Sequence, residues 1–382
     1  MSRDDGTRPG PAADGDDAPA EDSWLRRLYE LERGGLAAAG DADPRPPRSP
    51  REDGRGEGPR PDAGRTERAP DRSPALPPTR RRPTTHDGAS GSRDRTDATR
   101  STLLRGIREA GGFADIVLAG RPTDHRFGRV VSAEVVGESG RSDVSLRLFQ
   151  RPDAEEDGFG EALAAQLSRW RAVSDLQGVV PLLEAAETPR PWACTAPAGP
   201  SLAERDPGSL AAAVREARAL ATALAGLHER GTVHAGIEPG SVVYAAGDGA
   251  TVPAPLLDAP GLLDVYRRYT DPASVLDPRY AAPEYFETER GIVDRATDVY
   301  QLGTVMFRLF TGRAPYEGSA AEIREAVLEE DLPAPTAVEP RLPAAVDGIV
   351  RRAAATEKFE RYGTAQALAA DLDALCRDLL GE

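Results

Sequence analysis

Residues able to do chemistry cluster in one short stretch, GTVHAGIEPGSVVY, residues 231–244. The imidazole of His234, the carboxylate of Glu238 and the hydroxyl of Ser241 lie within eight residues of each other. Side chains of these types transfer protons and orient attacking hydroxyl groups. Gly236, between His234 and Glu238, has no side chain and therefore can supply no base. The stretch belongs either to an enzyme with unusual parts or to a fold that no longer carries out its chemistry.

The amino-acid composition limits the kinds of partner that this protein is expected to bind. The 382 residues include 48 Lys and Arg against 63 Asp and Glu, which gives a net charge of −15 and a pI near 4.9. This acidic balance argues against nucleic acid or an anionic membrane as the main partner. Lys358 is the only lysine. An acidic, lysine-poor composition favours a halophilic source with a salt-rich cytosol, although GC-rich codon usage alone would also deplete lysine.

Cysteine usage and hydropathy point to a soluble protein. Cys194 and Cys376 are too few for a disulfide framework or a metal cage. No apolar segment follows the first Met, and no stretch approaches the ~18 uncharged apolar residues of a membrane helix. We expect a cytoplasmic protein without membrane contact.

The elements that must position these residues begin after a long polar segment. Residues 1–100 are dense in Pro, Gly, Asp, Arg and Ser, and such a segment cannot bury enough apolar surface to offset its ordering entropy. We therefore predict a disordered tail. Within it, EDSWLRRLYELERGG (21–35) predicts a short amphipathic helix, which is either transient or a docking helix for a protein partner.

The rest of the chain predicts an α+β protein of two lobes. β-like runs separated by Gly-containing turns precede a series of amphipathic helices, which dominate from residue 209. A small β-rich half followed by a helical half favours two lobes, which we place at 101–196 and 197–382. The sequence leaves open whether segment 120–143 is an insertion or two strands.

Three motifs in the second half resemble the eukaryotic-like Ser/Thr protein kinases. RYAAPEYF (279–286) contains the A-P-E signature of the kinase activation segment. DVYQLGTVMFRLFTGRAPYEG (298–318) is similar to the central helix of that family, and EKFERYGTAQAL (357–368) to its closing helical segment. The order and spacing match over roughly residues 101–380. The resemblance implies a bilobal protein-kinase-like fold.

The resemblance also implies a structural framework. Glu284 and Arg361 are expected to form a carboxylate–guanidinium pair that joins the activation segment to the end of the domain. Asp298 is expected to accept backbone N–H bonds from the loop that contains His234.

The catalytic loop departs from the family pattern H-R-D-L-K-P-x-N. His234 and Pro239 are kept, whereas Gly236 replaces the Asp that orients the substrate hydroxyl. Glu238 replaces the Lys, and Ser241 replaces the Asn that binds metal.

The expected nucleotide site is altered as well. In the G-x-G-x-x-G-x-V pattern that covers the phosphates, EAGGFADIVLA (109–119) keeps Gly111 and Gly112 and lacks the outer two glycines. Arg147 stands where the strand lysine belongs, and it keeps the charge without the compact ammonium. Glu161 is a candidate for the helix Glu that pairs with it.

The hinge and the metal site complete the comparison. An ungapped alignment puts Cys194 at the gatekeeper position and Pro197 where a backbone N–H would bind the base, although proline has no N–H. Asp258 in LLDAPGLL (256–263) is the candidate metal ligand. Asp277 replaces the Thr that supports the catalytic Asp and Lys.

These simultaneous losses predict a pseudokinase that acts through binding, because groups that act as a unit are not replaced one at a time. We expect no required cofactor. Two alternatives are a divergent ATP- and Mg²⁺-dependent kinase that uses Asp258 and Arg147, and a nucleotide-binding sensor without turnover.

Overall fold

The computed structural model describes residues 90–152, 158–205, 208–245, 254–329 and 332–381. The predicted helix at 21–35 lies outside these residues. The described residues begin with helix α1 (Ser90–Ala110), which is followed by a lobe built on a sheet and then by a helical lobe. Helix α1 starts eleven residues before residue 101, where the first lobe was predicted to begin, and it buries Ile107 completely against Trp192 and Cys194.

The first lobe is a twisted antiparallel sheet with one helix. Its strands are β1 (Asp115–Leu118), β2 (Thr123–His125), β3 (Gly128–Gly137), β4 (Gly140–Phe149), β5 (Leu182–Ala186) and β6 (Trp192–Thr195). The sheet order is β1-β3-β4-β6-β5, and β2 also pairs with β3. Helix α2 (Phe159–Arg171) lies between β4 and β5 in the chain.

Segment 120–143 is therefore not a loop insertion, because it supplies β2 and β3 and the turn into β4. Strand β3 alternates as an amphipathic strand should, with Val131, Ala133 and Val135 buried. Gly137 and Gly140 face each other at the turn that joins β3 to β4.

The second lobe is mainly helical. A three-stranded sheet of β7 (Ala198–Ser201), β8 (Val242–Ala245) and β9 (Pro255–Leu257) lies at its start. The helices are α3 (Leu210–Glu229), α4 (Leu262–Tyr266), α5 (Arg295–Thr311), α6 (Ala320–Glu329), α7 (Pro335–Val338), α8 (Ala344–Ala353) and α9 (Ala365–Leu380), with short 3₁₀ turns between them. Helices α3, α5, α8 and α9 form the core of this lobe.

Helix α5 is the central helix of the lobe, and its sequence specifies both ends. Asp294 accepts the N–H groups of Ala296 and Thr297, and the Thr297 hydroxyl accepts the N–H of Asp294, which forms a reciprocal capping box. The helix ends at Gly312, whose φ of 73° is the left-handed conformation that glycine adopts without strain. Gly303 faces α8 so closely that a Cβ would lie 2.8 Å from the nitrogen of Ala354.

Within the described ranges, no helix combines the length and apolar character needed to cross a bilayer.

Candidate functional site

A cavity of about 560 Å³ lies between the two lobes. Val130 and Ser145 of the sheet face it from one side, and Val243 faces it from the other. His125 and Arg126 line it from the connection between β2 and β3. The inner end carries the charged side chains of Arg147, Glu238 and Asp258. The cavity is therefore lined by both aliphatic and polar residues and by several charged side chains.

Asp298 holds the loop that contains His234 through hydrogen bonds to the loop backbone. The two Asp298 carboxylate oxygens accept the backbone N–H groups of His234 at 2.8 Å and of Ala235 at 2.7 Å, and Oδ2 also lies 2.8 Å from His228 Nε2. Ala235 adopts a φ of 56°, an uncommon conformation for a residue with a side chain. The Tyr285 hydroxyl donates to the Ala235 carbonyl at 2.6 Å. These bonds fix a turn that the backbone alone does not favour.

His234 itself is a framework residue in this geometry. Its side chain is completely buried, and burial lowers its pKa to about 4, although nearby Asp298 acts in the opposite direction. The imidazole is therefore neutral at pH 7, and neither ring nitrogen has a hydrogen-bond partner among the described residues.

Gly236 lies at a position without room for a side chain. A Cβ there would be 2.9 Å from Leu263 Cβ and 3.3 Å from Arg126 Nη2. The first contact is closer than real Cβ atoms come to other heavy atoms. A carboxylate at this position needs both neighbours to move.

Arg147 forms a buried two-point ion pair with Asp258. Its Nη1 and Nη2 donate to Asp258 Oδ2 and Oδ1 at 2.9 and 2.8 Å, and its Nε donates to Thr195 Oγ1 at 3.3 Å. Arg147 is 5% exposed and Asp258 is 1% exposed. The guanidinium also lies 5.5 Å from the ring centre of Trp170. Both carboxylate oxygens of Asp258 are therefore occupied by an internal cation.

A second internal ion pair joins the two lobes. Arg126 Nη1 lies 2.8 Å from Glu238 Oε1, and Arg126 Nη2 donates to the Gly236 carbonyl at 2.9 Å. Burial raises the pKa of Glu238, and the Arg126 charge partly offsets this. Ser241 turns away from the cavity, because its Oγ accepts the N–H of Glu238 and donates to the Glu238 carbonyl.

A third buried pair lies away from the cavity. Arg361 Nη1 and Nη2 donate to Glu284 Oε1 and Oε2 at 2.9 and 3.0 Å, and both residues are at most 5% exposed. Burial acts to raise the pKa of Glu284, but hydrogen bonds from Arg361 and Thr297 outweigh it, so the pKa is lowered. The guanidinium also donates to the carbonyls of Ala296 and Ala355. The structure thus brings the two residues together with every donor in use.

The sequence and the fold were compared with known proteins. No family model matches the chain. The chain is similar to Serine/threonine-protein kinase PknL of Mycobacterium tuberculosis, with 31% identity over 181 residues, which are 47% of this chain and 44% of the relative. It is also similar to Serine/threonine-protein kinase PrkC of Bacillus subtilis, with 36% identity over 94 residues, which are 24% of this chain and 14% of the relative. These matches span less than half the length of either relative.

The fold comparison agrees. A crystal structure of a single-mutant Mycobacterium tuberculosis PknI kinase domain superposes with a TM-score of 0.51 at 21% identity, over 69% of this chain and 97% of that domain. The described residues therefore have the fold of a protein kinase domain. The sheet lobe and the helical lobe of this kinase-like domain are the two lobes predicted from the sequence.

The predicted phosphate-covering loop needs correction. Gly111 and Gly112 lie in the turn between α1 and β1, and a Cβ on Gly111 would meet the rings of Phe113 and Trp192. They do not line the cavity. The segment that lines the cavity runs from β1 through β2 to Gly128. A Cβ on Gly128 would lie 2.1 Å from the Leu148 carbonyl oxygen. The signal in the sequence was FGRV (127–130), which supplies the final G-x-V of the pattern.

With this register, Thr123 and His125 occupy the positions of the first two glycines. His125 is neutral at pH 7, because burial and then the Arg147 charge lower its pKa to about 4. The connection also contributes Arg126, which the sequence analysis missed. No sequence motif marks this arginine, because its partners are 110 and 112 residues away.

The predicted hinge residues need correction as well. Neighbouring residues of a strand face opposite sides of a sheet. Cys194 therefore belongs to the cluster beneath α1, and Thr195 is the residue that contacts Arg147. Pro197 is exposed and does not line the cavity. Ala198 does line it, and its N–H donates to Ser145 Oγ at 3.4 Å.

The candidate helix partner of Arg147 is not the residue that balances its charge. Glu161 lies on the exposed side of the first turn of α2. The charge of Arg147 is balanced by the buried carboxylate of Asp258 instead. Gln166 is the buried polar residue of α2, and its Nε2 donates to the Pro260 carbonyl at 2.9 Å.

The residues present do not fit a bound metal with nucleotide phosphates. Asp258 gives both oxygens to Arg147, and Ser241 bonds within its own loop. Among the residues that the structure covers, no group of three or more His, Cys, Asp or Glu side chains is arranged to hold a metal ion. Asp277 does not support the loop as a Thr would, because its carboxylate caps the next turn and pairs with Arg279 at 2.6 Å.

Proposed function

We propose that this kinase-like domain does not transfer phosphoryl groups and acts by binding a protein partner. The observation that carries the proposal is the buried two-point pair between Arg147 and Asp258. In kinases the strand lysine contacts the nucleotide phosphates and the aspartate holds Mg²⁺. In this chain the corresponding residues neutralise each other.

The other requirements of phosphoryl transfer fail at separate points. The acceptor hydroxyl needs a base to orient it, and position 236 is a glycine packed against Leu263. The phosphates need compensating positive charge, and the available guanidinium of Arg126 is paired with Glu238. Restoring one group would leave the others missing, and effects of groups that act together are not additive.

The test is phosphoryl transfer by the purified full-length chain. We expect no incorporation of labelled phosphate into the chain itself or a general protein substrate, in Mg²⁺ or Mn²⁺ buffer and at low and high salt. Asp258→Ala serves as the matched control, because it removes the candidate metal ligand. Activity above background in the wild type that disappears in Asp258→Ala overturns the proposal and supports a divergent kinase.

A second candidate is a nucleotide-binding sensor without turnover. The cavity favours it, because Val130 and Val243 face each other across a space of about 560 Å³ that extends to the backbone of Ala198. A calorimetric titration separates the candidates. ATP·Mg²⁺ is expected to give no heat if the domain needs no cofactor. Saturable binding in the absence of phosphoryl transfer supports the sensor.

The partner surface that the sequence offers is the segment at 21–35. Its apolar residues, Trp24, Leu25, Leu28 and Leu31, fall on one side of a helical wheel, as in segments that dock into a partner's groove. We expect Leu28→Asp in the full chain to abolish partner capture without a change in thermal stability. Capture at the wild-type level by this variant contradicts the role of the segment.

A further inference from the structure

We propose that Arg126 and Phe127 form an interlobe latch that keeps the cleft closed without a ligand. The latch consists of these two residues of the first lobe and their contacts Gly236, Glu238 and Tyr266 of the second. The inference rests on the proposed function, because a latch in this position excludes a phosphate group from the inner end of the cavity.

The polar half of the latch is the Arg126 side chain. Its two terminal nitrogens reach separate targets, the Gly236 carbonyl at 2.9 Å and the Glu238 carboxylate at 2.8 Å. The side chains of Arg126 and Glu238 are only 13% and 16% exposed. An ion pair shielded from water in this way is little weakened by salt. The contact therefore also holds in a salt-rich solution.

The apolar half of the latch is the Phe127 ring. It is 2% exposed and stacks on Tyr266 with 4.9 Å between ring centres. The Tyr266 hydroxyl lies within hydrogen-bond distance of the Phe127 and Gln150 carbonyls, at 3.0 and 2.8 Å, so it bridges two segments of the first lobe. Phe159 of α2 packs edge-on against the same tyrosine. One residue of the second lobe thus contacts three segments of the first.

The glycine in the catalytic loop is part of the same device. A side chain at position 236 would come within 3.3 Å of Arg126 Nη2 at its first atom. Gly236 therefore provides the space in which the guanidinium reaches the loop backbone. The glycine at the position of the catalytic carboxylate thus also accommodates the Arg126 side chain of the latch.

The test measures the distance between the lobes in the full chain. Spin labels are placed on Ser142→Cys in β4 and Glu325→Cys in α6, which are both exposed positions. The two native cysteines are buried, at 1% exposure each, so labelling is confined to the introduced pair. The wild-type background is expected to give one narrow distance distribution that ATP·Mg²⁺ does not change.

Arg126→Gln is expected to widen this distribution about twofold and to add a longer distance, because the closed state loses its charged contact. It is also expected to speed amide hydrogen exchange in 119–127 about tenfold, the change that corresponds to one charged hydrogen bond. The matched control is Arg129→Gln, whose pair with Asp124 is exposed at 66% and 91% and lies within the first lobe. The control is expected to leave the distance unchanged.

Two further variants keep the test decisive if Arg126→Gln does not fold. Glu238→Gln retains the shape of the side chain and removes its charge, and Tyr266→Phe removes a single hydroxyl. Each is expected to widen the distance distribution. Distances identical to the wild type in every folded variant, or an equal widening in Arg129→Gln, overturn the latch. Phosphoryl transfer by the wild type would overturn the proposed function instead, and the distance measurement does not depend on it.

Discussion

Two regions of this molecule use buried arginine–carboxylate pairs for different purposes. Arg361 and Glu284 join segments of the helical lobe, and the pair lies outside the cleft. Arg147 and Asp258 have nearly the same geometry, but they lie where a kinase handles phosphate and metal. The first pair supports the scaffold on which a site could be built. The second pair occupies the site itself.

The difference shows that the framework contacts do not depend on the side chains that line the cleft. Asp298 still holds the catalytic loop through its backbone, although the loop has no base to present. A hydrogen bond to a backbone N–H group does not depend on which side chains the loop carries. The framework can therefore remain while the cleft changes.

The largest expected effect tests the scaffold pair. Arg361→Ala leaves the Glu284 carboxylate buried without its partner and is expected to lower the free energy of unfolding by about 3–5 kcal/mol. Denaturant unfolding of the full chain measures it. Arg341→Ala is the control, because its pair with Glu339 is on the surface and its loss is expected to cost less than about 1 kcal/mol. Equal losses of stability in the two variants would show that the buried pair contributes no more than the surface pair.

The cleft pair should respond differently to single and double substitution. Arg147→Met alone leaves Asp258 unpaired and is expected to cost about 3–5 kcal/mol, whereas Arg147→Met combined with Asp258→Leu should cost far less. A double variant as unstable as the single variant would show that the pair has a further role. Thermal unfolding of the three proteins decides the question.

Two histidines, the half-buried His125 and the completely buried His234, predict how stability depends on pH. The pKa values of His125 and His234 are about 4 in the folded chain and near 6.5 when unfolded, so the unfolded state binds more protons between these values. The contribution of the two histidines to the free energy of unfolding is therefore fully present above pH 6.5. It decreases as the pH drops toward 4, by on the order of 3 kcal/mol for each histidine. Glu238 acts in the opposite direction, because its pKa is raised.

Unfolding measured from pH 7.5 to 4 checks this slope. His234→Gln is expected to remove about half of the change between pH 6.5 and 4 if each histidine contributes a similar amount. An unchanged slope in that variant would show that His234 does not titrate in the window.

The smallest expected effect concerns the missing base. Gly236→Asp should not produce phosphoryl transfer, because Arg147 still occupies Asp258 and Ser241 still replaces the metal-binding Asn. It should lower the free energy of unfolding by about 1–3 kcal/mol, because the new Cβ overpacks against Leu263. Measurable transfer by Gly236→Asp would show that the cleft is nearer to activity than its ion pairs indicate.

Periodicity and motifs were sufficient to predict the two lobes and the kinase-like fold. They did not predict the features that depend on which strands a loop connects or on which side of a strand a residue faces. Gly111 and Gly112 have the composition of a phosphate loop, yet they end helix α1, which the sequence analysis placed partly in the tail. Cys194 was expected at the gatekeeper position but packs beneath α1, because an ungapped alignment does not carry the alternation of a strand.

The sequence by itself determined what this chain lacks, because a missing carboxylate at 236 or a missing lysine at 147 is a fact of composition. Only the tertiary structure decided what stands in place of these groups. The partners of Arg126 and Arg147 are about 110 residues away in the chain, and no local pattern encodes such a pairing. Both arginines lie between the lobes, shielded from water. Each has a carboxylate beside it there, because a buried cation needs a specific anion as its partner.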